Sequence, residues 1–366
     1  MENMEKRLHL FPADAEAFLS GDLGIIRGAV SAIVTEERNG VYELDVECYP
    51  RAAPKSYGVN PRPNMIILAK PNPQDEMQPF RISTIKMDIT GAMTIAARHI
   101  SYDLNRRVVF ANGEEKTLPD WMAYLSQARA PFAFSTDITT EGTVAAKVPT
   151  PVRAFLGGTD GSLLQKFGGE FRFNGFNVAL LSARSSGVWN VRYGSNMTKM
   201  DYRLTNENAY NSFYAYWRGA DGTVVSSYAS VQAYIGDEDG NTSGDAVRTA
   251  YDRVVIDVSD QFDSMPTQAQ VREAGRAQLL ANYSQSILPS VAVSAADAPG
   301  VFGQDWSELQ LCDTVNIYHP MTGKMAAKII KTKFDPLQGK YTEITIGTPR
   351  RTLPKRLAAM ERRVQA

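Results

Sequence analysis

The chain is poor in the residues that most site chemistry needs. Among 366 residues there are two cysteines, Cys48 and Cys312, and three histidines, His9, His99 and His319. Two cysteines so far apart form neither a disulfide framework nor a metal or redox spacing. They read as buried free thiols in a chain that folds in a reducing compartment. The histidines stand on or beside expected strands, with no His-x-His, HExxH or His/Cys spacing. A zinc peptidase needs two or three ligands converging on one ion, so no metal and no cofactor is expected. A cysteine nucleophile is disfavoured as well, because Cys48 alternates with the apolar face of a strand and Cys312 directly precedes another.

Excess charge is also missing. There are 39 Lys and Arg against 40 Asp and Glu, a net charge of −1. The whole chain therefore has no field that would collect nucleic acid or an anionic membrane. No apolar run is long enough to cross a bilayer, and "MENMEKRLHLFPADAEAF" lacks the apolar centre of a signal peptide. No membrane, no sequence-specific nucleic acid partner and assembly in the cytoplasm are expected. The charge imbalance is local, in "RRTLPKRLAAMERRVQA" (350–366), with six basic residues against one acidic. A helix beginning near Pro354 would align Leu357, Met360 and Val364 along one face, with basic residues such as Arg356 and Arg363 elsewhere. A stripe this short is marginal alone, so these five residues are the candidate partner-binding set.

What the chain has is strand and turn material: 16 Tyr, 15 Phe and 27 Gly. Its length predicts two or three compact units. In "NGVYELDVECY" (39–49), Tyr42, Leu44, Val46 and Cys48 alternate with Glu43, Asp45 and Glu47, the pattern of a strand with one wet face. Asn39-Gly40 before it signals a type I′ hairpin. Further strands are expected in 64–70, 78–87 and 92–100, making 1–100 one antiparallel, barrel-like unit. A smaller α+β unit follows over 101–167, with a short helix in "LPDWMAYLSQARA" (118–130).

A second β domain begins at 168. "GGEFRFNGFNVALL" (168–181) raises the question whether its glycines, Glu170 and the later pair Arg192 and Tyr193 rim an active site. Phe171 and Phe173 alternate into Asn174-Gly175 and Phe176, Val178 and Leu180 resume the alternation, so the stretch reads as a hairpin with one aromatic face. A second hairpin turn is expected at 185–187, with Trp189, Val191 and Tyr193 continuing the pattern. Strands run on to residue 260, interrupted by the acidic loop "GDEDGNTSGD" (236–245). A helical insert over 261–297 opens on a Thr267/Gln270 capping box, carries Ala274, Ala277, Ala281 and Leu288 at helical spacing, and stops at Pro289. Closing strands fill 298–349, before the basic tail helix at 350–366.

The remaining chemical motifs are weak. "GGTDGS" (157–162) lacks the Lys-Ser/Thr of a phosphate loop and the parallel strands around it. "DEDGN" (237–241) lacks the twelve-residue calcium spacing. Forty acidic residues supply accidental carboxylate pairs for glycoside cleavage, which sequence alone neither places nor excludes. Trp189 and Trp217 could stack on sugar rings, although aromatics alternating along strands serve a core more often.

Several blocks in order carry a family resemblance. "QPFRISTIKM", "AARHISYDL", "PFAFSTDI", "FLGGTDGSLLQKFGGE", the "GGEFRFNG … RYGSN" stretch and "LQLCDTVNIYHPMTGKMAAKIIKTKFDPLQGKYTEITIG" are together similar to the tail-associated proteins of siphophages and prophages, often labelled prophage tail endopeptidases. The likeness runs over about residues 25–349, with Cys312 standing where the family usually has glycine. It implies a baseplate-hub fold: a β-rich α+β chain with two antiparallel β-barrel-like domains and smaller α/β and helical domains. Type VI secretion spikes share that fold. It implies a homotrimer at the tail tip whose six barrels match a hexameric ring. Its partners would be the distal tail protein, the tape-measure protein end and a downstream receptor-binding or fibre protein. The peptidoglycan-cleaving or sugar-binding module of longer members follows the hub region, and here the sequence stops soon after it. The expectation is therefore a non-enzymatic virion protein with no catalytic residues. The alternative is a tail-associated peptidoglycan hydrolase acting in cell-wall penetration.

Overall fold

The computed structural model describes residues 6–18, 22–50, 60–159, 161–204, 210, 212–230, 253–262, 264–282, 289–295, 308–320 and 323–347. They fall into two compact units, drawn from Met1–Lys199, Val293–Ile317 and Ala326–Ala366, and from Met200–Ala292 and Tyr318–Met325. The candidate partner residues Leu357, Met360, Val364, Arg356 and Arg363 lie outside the described residues, as does "DEDGN".

Two-residue periodicity builds the first sheet. Its strands are β1 (His9–Phe11), β2 (Gly24–Ile25), β3 (Ala29–Glu37), β4 (Tyr42–Cys48), β5 (Ile66–Ala69), β6 (Gln78–Met87) and β7 (Met93–His99). They lie in the order β3-β4-β7-β6-β5-β1-β2, antiparallel throughout. In β4 the side chains of Tyr42, Leu44, Val46 and Cys48 are buried while Asp45 and Glu47 are exposed, as the alternation predicts. Burying one such aliphatic side chain contributes about 1.5–3 kcal/mol, so a one-residue register slip would forfeit the whole row.

The β3–β4 turn departs from the expected type I′. Only Asn39 of the Asn-Gly pair has a positive φ, 56°. The turn closes with the Gly40 amide donating to the Glu37 carbonyl at 3.0 Å. The reason is tertiary, because the Asn39 side chain is engaged with a later segment described below.

An α+β layer follows. It contains β8 (Val108–Val109), β9 (Glu115–Lys116), α1 (Leu118–Ala128), β10 (Ala133–Thr136), β11 (Val144–Ala145), β12 (Thr150–Pro151), α2 (Val152–Leu156), α3 (Leu163–Phe167), β13 (Glu170–Asn174) and β14 (Asn177–Leu181). Thr117 caps α1, its hydroxyl accepting the Asp120 amide at 3.4 Å. Trp121, Met122 and Leu125 from α1 share a core with Phe132, Phe155, Phe171 and Leu180. The β13–β14 hairpin forms as expected, but its turn is Gly175-Phe176 rather than Asn174-Gly175, since Asn174 pairs with Asn177. β14 also lies parallel to β10. The sequence points to a second hairpin at 185–187, and the structure corrects this: β14 pairs with β10 and β13, whereas the next strand, β15 (Val188–Arg192), pairs elsewhere. Residues 182–187 are a crossover between sheets.

The second unit centres on β17 (Ser212–Arg218), β18 (Val224–Ser230) and β19 (Arg253–Asp257), preceded by β16 (Met197–Leu204) and followed by α4 (Gln268–Asn282) and β20 (Pro289–Ala295). β17 pairs antiparallel with β18 and parallel with β19. Phe213, Ala215, Trp217 and Ile256 from one face of this sheet share a core with Val271 and Leu279 of α4. The capping box forms as predicted: the Thr267 amide donates to Gln270 Oε1 at 2.8 Å and the Gln270 amide to Thr267 Oγ1 at 3.3 Å. Of the expected alanine series, Ala274 packs against this core, while Leu288 lies outside the described residues. Val271 and Gly275 are buried, and Ala277 is exposed.

Gly275 allows the close approach. A Cβ at that position would lie 2.5 Å from the Ala215 Cβ and 2.6 Å from the Phe213 ring. In an isolated helix Gly→Ala stabilises by about 1 kcal/mol. Here Gly275→Ala is expected to do the reverse, lowering stability by about 1–3 kcal/mol through overpacking. Urea unfolding followed by circular dichroism reads the sign, and a stabilised variant would refute the close approach.

The closing strands return to the first sheet. β21 (Thr314–His319) pairs with β15 and with β22 (Gly323–Asp335), and β22 pairs antiparallel with both β23 (Lys340–Gly347) and β3. The fold is thus β-rich with few helices, the expected class. Two separately closed barrels are not seen among the described residues: the path β23-β22-β3-β4-β7-β6-β5-β1-β2 is open, and β3–β22 pairing joins N-terminal and C-terminal strands in one sheet.

Candidate functional site

Glu170 belongs to a buried polar seam, whereas Arg192 and Tyr193 are exposed and lie apart from it. Glu170, the first residue of β13, is 1% exposed. Its carboxylate meets Lys328 Nζ at 2.6 Å and Arg38 at 3.1 Å, and accepts the Arg184 amide at 2.8 Å. Burial would raise its pKa, but Lys328, the amide and Arg38 together bring it below the ordinary carboxylate value. A buried carboxylate held in its charged form between two cations and a backbone amide is a structural anchor.

Arg184, in the crossover, forms a two-pronged pair with Glu36 of β3 at 2.6 and 3.2 Å, both side chains almost wholly buried. Burial opposes its charge and the Glu36 carboxylate more than offsets this, so Arg184 stays firmly protonated. Next to it Arg172 of β13 pairs with Asp75 at 2.7 Å.

Neutral contacts tie the same hairpin to the first sheet. Asn39 Nδ2 donates to the Gly169 carbonyl at 3.0 Å, and its Oδ1 accepts the Phe171 amide at 2.7 Å. That engagement holds Asn39 in the left-handed region. Gln78 of β6 binds the hairpin turn, its Nε2 donating to Asn174 Oδ1 and its Oε1 accepting the Gly175 amide, each at 2.7 Å. Arg153 of α2 lies over the Tyr102 ring at 3.9 Å and the Phe173 ring at 4.8 Å, and donates to Ser101 Oγ at 2.7 Å.

A second node is Asp313, which no motif singled out beyond its place in "LQLCDTV". It is 1% exposed. Its carboxylate accepts from the Ser185 hydroxyl, the Gly187 amide at 3.0 Å, Trp189 Nε1 at 2.7 Å and the Gln310 amide at 2.8 Å. Gly187 has to be small, because a Cβ there would stand 2.5 Å from Asp313 Oδ1. Thus the Ser-Ser-Gly stretch serves as a carboxylate clasp.

The sequence candidates resolve in the same direction. Cys48 and Cys312 are buried free thiols, as expected. Burial pushes Cys48 up to about 11 and, with Glu170 beside it, Cys312 up to about 12, so neither offers a thiolate near neutral pH. Trp189 and Trp217 are 8% exposed, and Trp217 Nε1 donates to the Phe262 carbonyl at 3.2 Å. They are core residues, which removes them as a sugar platform. In "RYGSN", Asn196 is buried and its Oδ1 accepts the Arg192 amide at 2.9 Å, while Gly194 takes a φ of 75°. This motif is a turn. His9 pairs with Asp22 at 2.7 Å, and His99 is fully buried. The described residues contain no group of three or more His, Cys, Asp or Glu able to hold a metal ion, and no helix among them is long and apolar enough to cross a membrane. One open groove of about 530 Å³ runs along Val224, Val225, Ser226 and Met265–Gln268, and none of these lining side chains is titratable.

Cys312 has a φ of 75°, the left-handed conformation that suits glycine. Cys312→Gly is therefore expected to be near neutral, since relieved backbone strain of about 1 kcal/mol offsets a similar loss of buried side chain. Cys312→Val, which is β-branched, is expected to cost about 2 kcal/mol more. Thermal unfolding of the pair reads the difference.

The described polar seam is a set of structural pairs inside a β-rich scaffold, in which Arg38 Nε is buried without a hydrogen-bond partner. The overall fold is similar to that of solved prophage tail proteins. Over 98% of this chain and 100% of the other, it matches the prophage tail protein gp18 of Listeria monocytogenes with a TM-score of 0.62 at 12% identity. It matches the 43 kDa tail protein of prophage MuSo2 from Shewanella oneidensis with a TM-score of 0.57 at 11% identity, over 94% of this chain and 98% of that one. The tail protein from Neisseria meningitidis gives a TM-score of 0.54 at 9% identity, over 93% and 96%. No protein-family model and no curated protein matches the sequence.

Proposed function

We propose that this chain is a non-enzymatic structural protein of a phage or prophage tail, acting as a trimeric hub at the tail tip. The observation that carries the reading is the match of its fold, from end to end, to prophage tail proteins. The buried seam supports it, because the carboxylates most suggestive of chemistry, Glu170, Glu36 and Asp313, are each committed to cations or backbone donors. Such a chain is built to stay rigid under load. In this reading it sits between the distal tail protein and a downstream receptor-binding or fibre protein, holds the tape-measure protein end, and belongs to the virion after assembly in the bacterial cytoplasm. Leu357, Met360 and Val364, flanked by Arg356 and Arg363, form the downstream contact. Deleting 350–366 should abolish pull-down of that downstream protein, and undiminished capture would remove the assignment.

Light scattering on the purified chain tests the hub directly. A particle of about three times 40.3 kDa is expected. A monomer that stays monomeric when the distal tail protein is added would overturn the reading. Release of fragments from purified cell walls by the chain alone would overturn its non-enzymatic part in favour of a peptidoglycan hydrolase.

A further inference from the structure

His99 stands at the centre of the seam and takes no part in the ion pairs. The ring is fully buried, stacked on Tyr42 at 4.3 Å between ring centres, with Phe80 edge-on at 5.7 Å and Phe173 of the hairpin at 6.3 Å. Its hydrogen bonds define one tautomer. The Ser101 amide points at Nδ1 from 3.2 Å, so Nδ1 carries a lone pair, and the Ser101 hydroxyl lies 3.0 Å from the same atom. Nε2 then carries the proton and donates to Gln78 Oε1 at 3.2 Å. Gln78 is the residue that holds Asn174 and Gly175 of the hairpin turn. A single relay therefore runs from Arg153 through Ser101, His99 and Gln78 to the hairpin.

This relay tolerates only neutral imidazole. A proton on Nδ1 would face the Ser101 amide, a donor that cannot turn away. Two cations bear on the ring, Arg153 from α2 and Arg184 from the crossover. The carboxylates that act on the stacked Tyr42 ring, Glu36 of β3 and Asp75 before β6, are already paired with Arg184 and Arg172. Tyr42 of β4 and Tyr102, in the short helical turn after β7, bring phenol rings, the second beneath Arg153 and Arg98. Burial first, then the two arginines, hold the imidazole well below its ordinary pKa.

We propose that His99 is an acid-sensitive latch, whose protonation at Nδ1 undocks the Glu170–Leu181 hairpin from the first sheet. The sign follows from linkage. An exposed histidine takes up a proton near pH 6.5 and the docked one does not, so docking is at full strength above that value and weakens as pH falls below it. Glu170 stays charged through the same interval, because its pKa is lowered below the ordinary carboxylate value. It does not contribute to the response.

Hydrogen–deuterium exchange on the full chain tests the latch. Between about pH 7.5 and about pH 5.5, with intrinsic rates corrected, the opening constant for 170–181 should rise about tenfold while α4 stays unchanged. His99→Asn keeps an acceptor and cannot titrate, so the rise should vanish. Equal opening at both pH values, or the same rise in His99→Asn, would overturn the proposal. If that variant fails to fold, nitrogen NMR of the wild-type ring decides instead. The Nε2–H tautomer should persist until the hairpin opens, and an imidazolium in the docked state would overturn the latch.

Discussion

Arg184→Met is expected to destabilise the first unit by about 3–5 kcal/mol, because it leaves the buried Glu36 carboxylate without its cation. Glu36 is 4% exposed, so water cannot replace the two-pronged contact at 2.6 and 3.2 Å. The double variant Glu36→Leu/Arg184→Met removes both charges together. It should recover most of the loss, since a buried ion pair exchanged for apolar side chains of similar volume is often neutral or better. Urea unfolding of the three proteins completes the cycle. If the double variant is as unstable as the sum of the single ones, the pair is not the unit that matters.

Asp313→Ala is expected to cost about 3–5 kcal/mol as well, by a different route. Four donors converge on one carboxylate, from Ser185, Gly187, Trp189 and Gln310. Truncation leaves them buried and unsatisfied, at about 1–3 kcal/mol each before relaxation. Because Trp189 Nε1 is among them, its fluorescence should shift to the red as the 185–187 crossover loosens. Asp313→Asn keeps one acceptor oxygen but turns an amide donor towards other donors, so its loss should fall between those of the wild type and the alanine variant. An alanine variant with unchanged midpoint and unchanged emission would show that the clasp is not structural.

Both effects arise where the fold closes over a long distance in sequence. The Glu36–Arg184 pair and the Asp313 clasp link β3, the crossover and the segment before β21, and each replaces a feature that could be mistaken for chemistry. A lone carboxylate, a Ser-Ser-Gly stretch and a buried tryptophan become parts of a rigid joint. This agrees with the structural role proposed above.

Local patterns were legible without coordinates. Alternation identified β4, the 170–181 hairpin and the closing strands β21 to β23, because a strand with one buried face must repeat every second residue. The Thr267/Gln270 capping box placed the start of α4, since those two side chains satisfy backbone donors only a turn away. The scarcity of histidine and cysteine spacing already argued against a zinc or thiol centre, and the ordered blocks from 78 to 347 pointed to a tail protein.

Tertiary structure decided what these local rules leave open. Asn39-Gly40 reads as a type I′ turn until Asn39 is needed by Gly169 and Phe171. Residues 185–187 read as a hairpin until β15 is found beside β21. On α4, Val271 and Gly275 join Ala274 on the packed face, because the sheet beneath has Ala215 and Phe213 at the point of contact. β3 meets β22 almost three hundred residues later, and no periodicity encodes a partner at that distance. Sequence sets which face of each element is apolar. Which faces meet, and so whether a buried charge is a catalyst or a clasp, depends on the assembled chain.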